Sequence, residues 1–469
     1  MKRLRHLSFE RPKPYWFVIC IVMATGCAFD RKARVFTQQE VAIAWADMAL
    51  YVTKNTPANS PTFASRGFGY IGVTMYESIV QGYPKYKSLA GQLNGLAALP
   101  SPEPGMHYDW ILSLNAGQAL ILKRIYNQTS DANKLRIDSL EKIIFDQFSN
   151  RLTDQNGVVR SVNYGKAVAE AIFEWSVTDG GHRGYLHNFD KAVVRPGAPG
   201  SWEPPLYGQS FSHFPLHPHW GENRPFVKEN AALPTPEMIH FDQSKQSDYY
   251  KQFRRVYDKS KILTAEEKEI ALWWNDDPSE TFTPPGHSFH LAVQVLKKAN
   301  PELIRCTETL ARVGIAVADA FINCWKWKYH YFSERPSSFI GKHINERWES
   351  FWPDPPFPAF PGGHATQSAA AATVLADLFG ENFTITDSAY ANRPPDELRH
   401  VEYKPRTFDS FWKIAQETAN SRFYGGIHSP QDNDVGLVTG GRIGRNVNLL
   451  KWSEGGGATA MDENGKSRQ

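Results

Sequence analysis

Three short stretches in the C-terminal half of this 469-residue chain carry cationic and imidazole side chains that need a common explanation. Lys328 is followed after six residues by Arg335-Pro336, Pro361-Gly362-Gly363-His364-Ala365-Thr366 opens an alanine-rich helix, and Ser421-Arg422 is followed after five residues by His428. Arginine offers a planar fork matched to tetrahedral oxyanions, and lysine a mobile point charge. Two glycines let the backbone approach a ligand with no Cβ in the way, and the unpaired N–H groups of the following helix favour negative charge. The middle stretch is therefore an anion site in outline. An imidazole can act as nucleophile or metal ligand through one nitrogen when the other is tied to a carboxylate, and Asp432 is the nearest candidate to tie His428. Three cations brought together without matching acids would be costly unless an anion sat among them.

The elements that must position these groups read as helices. Val41, Ala44, Trp45 and Met48 fall at i, i+3, i+4 and i+7, and Val168, Ala171, Ile172 and Trp175 repeat the pattern. Similar periodicity predicts helices near 62–82, 111–126, 131–148, 248–259, 264–275, 288–299, 303–328, 366–379 and 407–424. Gly425-Gly426 ends the last of these and lets His428 return beside Arg422. Convincing strand alternation is hard to find, so the expectation is an all-α fold, a large helical bundle. Residues 37–200 read as an N-terminal helical half and 241–452 as a C-terminal helical half that shares its core. Between them, 201–240 is a crossover rich in proline and aromatics, ordered because Trp202, Phe211, Phe214, Trp220 and Phe226 want burial. The Gly-rich end, 453–469, reads as a disordered tail.

Composition removes several classes of function. With 41% hydrophobic and 22% charged residues the chain is no disordered segment, and four cysteines cannot staple a protein of this length. Cys306 and Cys324 fall on one predicted helix about 27 Å apart, beyond the roughly 7 Å that a disulfide tolerates. Lys+Arg 52 against Asp+Glu 49 gives no reason to expect a nucleic-acid partner. Residues 1–26 pair a basic start with a short apolar run, Tyr15 to Ala24, too short to span a bilayer at about 20 residues, and so read as a signal peptide. Without them the chain carries 47 basic and 48 acidic groups.

The ending Ala24-Thr25-Gly26-Cys27 resembles a bacterial lipobox. That resemblance implies an exported lipoprotein facing the periplasm or cell surface, its membrane contact confined to a lipid on Cys27, with 27–36 as a tether.

The order and spacing of the three stretches resemble the signature of the vanadium haloperoxidase and type 2 phosphatidic acid phosphatase superfamily, and the likeness is closer to the vanadium chloroperoxidase branch. Pro355-Pro356-Phe357-Pro358-Ala359-Phe360-Pro361 leading into Gly363-His364 is similar to that branch, as are Trp325, three residues before Lys328, and Asp276, seven before Thr283-Pro284-Pro285. The resemblance implies vanadate as cofactor, with phosphate able to occupy the same site. It gives Lys328, Arg335, Arg422 and the Gly363 N–H as holders of its equatorial oxygens, and His428 as the axial ligand to vanadium, its ring oriented by Asp432. It further implies that His364 is an acid/base, that Asp276 braces Arg422, and that Trp325 and Phe357 line a halide pocket. Hydrogen peroxide, a halide and a small organic acceptor would be the partners, in a homodimer. One departure stands out: Gly362 occupies the position of the family's serine. Losing one hydrogen bond to a charged group costs roughly 1.5–3 kcal/mol.

Two other functions use the same residues. In a soluble acid phosphatase His428 would attack phosphorus through a phosphohistidine intermediate while His364 protonates the leaving group. A noncatalytic surface lipoprotein would retain the fold alone. Singly, each residue has a plainer reading: solvated charges for Lys328 and Arg335, helix-end imidazoles for His364 and His428, core aromatics for Trp325 and Phe357, a turn cap for Asp432 and a surface acid for Asp276. His213, His217 and His219 are spaced like metal ligands but lie in a proline-rich stretch with no fixed helical face. Pro285-Gly286-His287 echoes the middle motif and reads as a helix start.

Overall fold

The helix that carries Lys328 is the axis on which the other elements are laid. The computed structural model describes residues 35–454 apart from 211, and from Phe36 onward they cluster as one unit. In chain order the helices are α1 (Gln38–Lys54), α2 (Pro61–Glu77), α3 (Trp110–Ile125), α4 (Asp131–Ser149), α5 (Gln155–Val177), α6 (Lys228–Ala231) and α7 (Asp248–Ser260). They continue with α8 (Ala265–Trp273), α9 (Thr283–Ala299), α10 (Leu303–Tyr331), α11 (Pro336–His343), α12 (Gly363–Phe379), α13 (Phe411–Tyr424) and α14 (Pro430–Asn448). Between α12 and α13, strands β1 (Ile385–Asp387) and β2 (Arg406–Phe408) pair antiparallel, with Ile385 opposite Phe408.

Local chemistry sets many of these boundaries. Thr37 with Glu40, Thr264 with Glu267 and Ser429 with Asp432 form capping boxes that start α1, α8 and α14. Ser60 caps α2 just ahead of Pro61, and Asp109, Ser130 and Ser247 accept the first free amides of α3, α4 and α7. Helix α10 is buried on nearly every face and packs against α2, α9, α12 and α14, as a helix apolar all round must. One core cluster draws residues from Phe36 to Trp452. The crossover joins it through buried Trp202, Trp220 and Phe226, with Phe214 half-buried. Asp319 of α10 accepts from Phe226 N, Val227 N and Asn230 Nδ2 at 2.7, 3.0 and 2.8 Å, and burial pushes its carboxyl up to about 7.

Helix α14 lies outside the helices expected from the sequence, and Gly436, Gly440, Gly441 and Gly444 in its interior each cost about 1 kcal/mol of helix propensity. Close approach explains three of them. A Cβ at Gly440 would lie 2.1 Å from the Thr366 carbonyl oxygen of α12, at Gly444 2.7 Å from that of Ala370, and at Gly436 2.8 Å from that of Gly362. The two backbones therefore touch, which brings the start of α14 to the start of α12.

The structure corrects two of these expected boundaries. The helix expected from 407 begins at Phe411, because Arg406–Phe408 are paired as β2 and Ser410 is the N-cap of α13. Ser453 and Glu454, expected in a disordered tail, are held in place: Ser453 bridges to Tyr86, and Glu454 N donates to Lys85 O at 2.7 Å. Phe211, the leader, Cys27 and the tail beyond 454 lie outside the described residues. Cys306 and Cys324 share α10 and are both free and buried. No helix among the described residues is long and apolar enough to cross a membrane.

Replacing Gly440 by alanine should lower folding stability by about 1–3 kcal/mol in a urea titration. Gly341→Ala, where a Cβ would meet nothing within 4 Å, is the control and should not destabilise. Equal midpoints for the two variants would show that glycine does not set the α12–α14 contact.

Candidate functional site

His428 lies just past the turn that ends α13. Gly425 N donates to Ser421 O, Ile427 N to Arg422 O at 3.1 Å, and Gly426 takes a φ of 75°, a left-handed conformation that suits glycine. The chain thus reverses beside Arg422. Asp432 then does two things at once: its Oδ2 accepts from Ser429 N at 2.9 Å as the cap of α14, and it lies 3.1 Å from His428 Nδ1. Arg335 Nη1 donates to His428 Nε2 at 3.1 Å. A carboxylate on one side and a guanidinium on the other fix the neutral Nδ1–H tautomer, with the Nε2 lone pair turned away from Asp432. Burial, with Arg335 and Lys328 nearby, holds this imidazole well below its ordinary pKa.

Gly362, Gly363 and His364 form the first turn of α12. Gly362 N donates to Asp432 O at 2.8 Å, and a Cβ at this glycine would come within 3.1 Å of both Asp432 O and Asn433 Oδ1. The glycine in the family's serine position is thus matched to a tightly seated α14. Arg422 Nη1 donates to the Trp274 carbonyl at 3.0 Å. Burial and then the Arg422 charge hold His364 well below its ordinary pKa, while burial draws the Arg422 guanidinium down to about 10.

Gly363, His364, Arg422 and His428 line one cavity of about 430 Å³ together with Trp325 and Phe357, whose rings lie 4.9 Å apart. Asp276, Asp277 and Glu280 border its other side. Lys328 and Arg335 stand just behind the wall. Lys328 Nζ donates to Pro358 O, Ala359 O and Pro361 O at 2.9, 2.6 and 2.7 Å, and Arg335 to Phe357 O and Ile427 O at 2.9 and 2.8 Å as well as to His428. In this structure both cations donate to backbone carbonyls rather than into the cavity. Fully buried donors must find acceptors, and the proline-rich run 353–361 presents carbonyls with few N–H groups to compete for them.

Asp276 does not brace Arg422. Its Oδ1 meets His287 Nδ1 at 2.9 Å and the Tyr390 hydroxyl, while Oδ2 has no hydrogen-bond partner and lies 4.0 Å from His364 Nε2. The reason is local: Asp276 sits in the turn after α8 at φ 53°, and the buried ring of His287 captures its carboxylate. His287, at the start of α9 as the Pro-Gly-His echo suggested, is therefore linked to the site, together with Asp387 and Tyr390. Sequence reading passed over these three, and the repeated Pro-Gly-His was their one signal.

His213, His217 and His219 do not come together. His213 is exposed, His219 pairs with Glu222 at 2.9 Å, and His217 is buried between the Thr62 hydroxyl and Gly184 O. Among the described residues no group of three or more His, Cys, Asp or Glu side chains is arranged to hold a cation.

Comparison with known proteins gives the site its family. Residues 341–451 match the model of the VCPO second helical-bundle domain. Vanadium chloroperoxidase of Curvularia inaequalis is 26% identical over 210 residues, 34% of each chain, so the match spans about a third of that curated relative. A crystal structure described as the first bacterial vanadium-dependent iodoperoxidase is 30% identical with a TM-score of 0.77, covering 90% of this chain and 98% of that one. An apo-type bacterial vanadium-dependent chloroperoxidase shares the fold at 14% identity, with a TM-score of 0.64 over 84% of this chain and 93% of its own. The chain belongs to the vanadium haloperoxidase family.

The residues present fit the oxyanion that this family implies. Arg422 Nε and His364 Nε2 are buried polar atoms with no partner, and the N-terminus of α12 opens on the same cavity. No carboxylate among the described residues ion-pairs with Lys328, Arg335 or Arg422, although Asp276, Asp277 and Glu280 line the same cavity and the charges of Asp276 and Asp277 reach Arg422.

This geometry has two measurable outcomes. Asp432→Asn replaces the carboxylate that fixes the His428 tautomer with a neutral amide able to present a donor instead, and inorganic phosphate or vanadate should bind about tenfold more weakly by calorimetry; unchanged affinity would sink the orienting role. His217, drawn down to about 4 by burial, stays neutral in the fold while the unfolded chain protonates near 6.5. Stability should therefore fall as pH drops from about 6.5 towards 4, and His217→Gln should remove about 1–3 kcal/mol of that pH dependence in denaturant titrations.

Proposed function

We propose that this protein is a vanadate-dependent haloperoxidase, which uses hydrogen peroxide to oxidise halide to hypohalous acid. The observation that carries the reading is the pairing of two neutral imidazoles with different roles on one cavity: His428, its Nε2 lone pair set by Asp432, and His364, its Nε2 unpartnered. Arg422 and the Gly363 N–H would hold vanadate oxygens directly, and Lys328 and Arg335 would join by exchanging carbonyl partners for oxyanion oxygens. His428 Nε2, once released by Arg335, would be the protein's ligand to vanadium. When bound, vanadate supplies the electrophilic activation of peroxide, in the manner of a Lewis acid.

His364 is placed to take a proton from incoming hydrogen peroxide at Nε2 and return it to the leaving oxygen. Trp325 and Phe357 give the halide an apolar, cation-flanked wall, since Lys328 Nζ lies 5.2 Å and the Arg335 guanidinium 5.1 Å from the Phe357 ring centre. The cavity is wide enough for a small organic acceptor beside the anion. The leader and Cys27 support export and a lipid tether. A phosphatase reading rests on the same His428, whose neutral, carboxylate-oriented imidazole suits attack on phosphorus.

The test is to load the purified chain with orthovanadate and follow peroxide-dependent oxidation of iodide and bromide beside hydrolysis of a chromogenic phosphate ester. Halide oxidation that requires vanadate and falls at least about a hundredfold in His428→Ala is expected. Ester turnover without halide oxidation would reject the proposal in favour of the phosphatase.

A further inference from the structure

Behind the cavity wall lies a buried line of charge that the reaction above does not use. His287 Nδ1 is 2.9 Å from Asp276 Oδ1 and its Nε2 is 2.8 Å from Asp387 Oδ2, and the three side chains are at most 1% exposed. Ionised carboxylates only accept, so an imidazole held between two of them must donate from both nitrogens and carry a proton on each. Neither acid is placed to supply the missing proton instead. Asp387 already accepts from Trp273 Nε1 at 2.6 Å, Ala389 N at 3.0 Å and Gln294 Nε2 at 3.3 Å, and Asp276 Oδ1 also accepts from the Tyr390 hydroxyl.

The ring has no freedom to turn. Trp274 stacks on it with centroids 4.5 Å apart, and Phe282 and Tyr390 meet its edges at 5.8 and 5.0 Å. With Oδ1 of Asp276 engaged twice, its Oδ2 is left facing His364 Nε2 at 4.0 Å, and neither of these atoms has a hydrogen-bond partner.

We propose that His287 is a positioning residue for the reaction: clamped as an imidazolium between Asp276 and Asp387, it aims the free oxygen of Asp276 at His364. The catalytic consequence rests on the haloperoxidase reading, whereas the clamp itself does not. Burial draws His287 down, but Asp276 and Asp387 outweigh it and raise it to about 10, while Asp387, pushed up by burial, is brought down to about 2 chiefly by His287. The titratable groups around the ring are Asp276, Asp387 and Tyr390, with His290 and His364 further off, and the His287 charge opposes protonation of both histidines. Neutral His364 is the form that can accept a proton from peroxide.

The experiment is histidine nitrogen and proton NMR on the whole chain without vanadate, followed by halide-oxidation kinetics with it. In the wild type both ring nitrogens of His287 should stay protonated at pH 8; a neutral ring there would overturn the proposal. In His287→Gln the loss of the cation should raise the His364 titration by about one pH unit. In the same variant kcat should drop about tenfold, with the KM for peroxide and the affinity for inorganic phosphate within about twofold of wild type. Asp387→Asn leaves the Asp276 contact in place and takes away one of the two anions that hold the imidazolium, so the His287 ring should lose its second proton at lower pH than in the wild type. An unmoved His364 titration in His287→Gln would overturn the positioning role. Absence of halide oxidation in the wild type, with the NMR shifts as expected, would overturn the functional reading and leave the clamp standing.

Discussion

Buried positive charge without a carboxylate counterion is the constraint around which this structure is arranged. Lys328, Arg335 and Arg422 are each almost wholly buried, and burial lowers the pKa of all three. Taking such groups out of water costs several kcal/mol each unless every donor is met. The chain meets them with neutral dipoles, the carbonyls of Phe357, Pro358, Ala359 and Pro361 for two cations and that of Trp274 for the third. Carbonyls satisfy the donors without cancelling the charge. Burial first, and the neighbouring cations after it, keep His364 and His428 unprotonated.

Holding those cations together requires helices to approach more closely than ordinary side chains permit. The glycines of α14 let it lie against the backbone of α12, so that the cap of one helix is built into the first turn of the other, with Gly362 N donating to Asp432 O. Gly362 then serves packing where a serine would serve a ligand. The Gly425-Gly426 turn completes the arrangement by folding His428 back onto the end of α13.

Carboxylates enter only where they act through something else. Asp432 caps α14 and orients His428 with the same oxygen. Asp387 arrives on the small β1–β2 hairpin and reaches His287 rather than the cavity, while Asp276 offers the cavity one unpartnered oxygen. The acids thus shape the imidazoles and form no ion pair with the three cations.

Much of this was legible in the chain itself, because it is local. Apolar spacing at i, i+3, i+4 and i+7, capping pairs such as Thr37 with Glu40, and the Gly-Gly stop after Tyr424 act over a few residues, so the helices on which Lys328, His364 and Arg422 stand could be read from sequence along with those residues. Why α14 carries four glycines could not be read from the chain, since three of them answer to a neighbour some 70 residues earlier. Nor could the carbonyl partners of Lys328, or the link from Asp276 through His287 to Asp387, which is 100 residues from that histidine. Residue type and near spacing determined which groups this protein carries and the helices that bear them. Only the tertiary fold decided which acceptor each buried donor meets, because that choice is made by desolvation among elements distant in sequence.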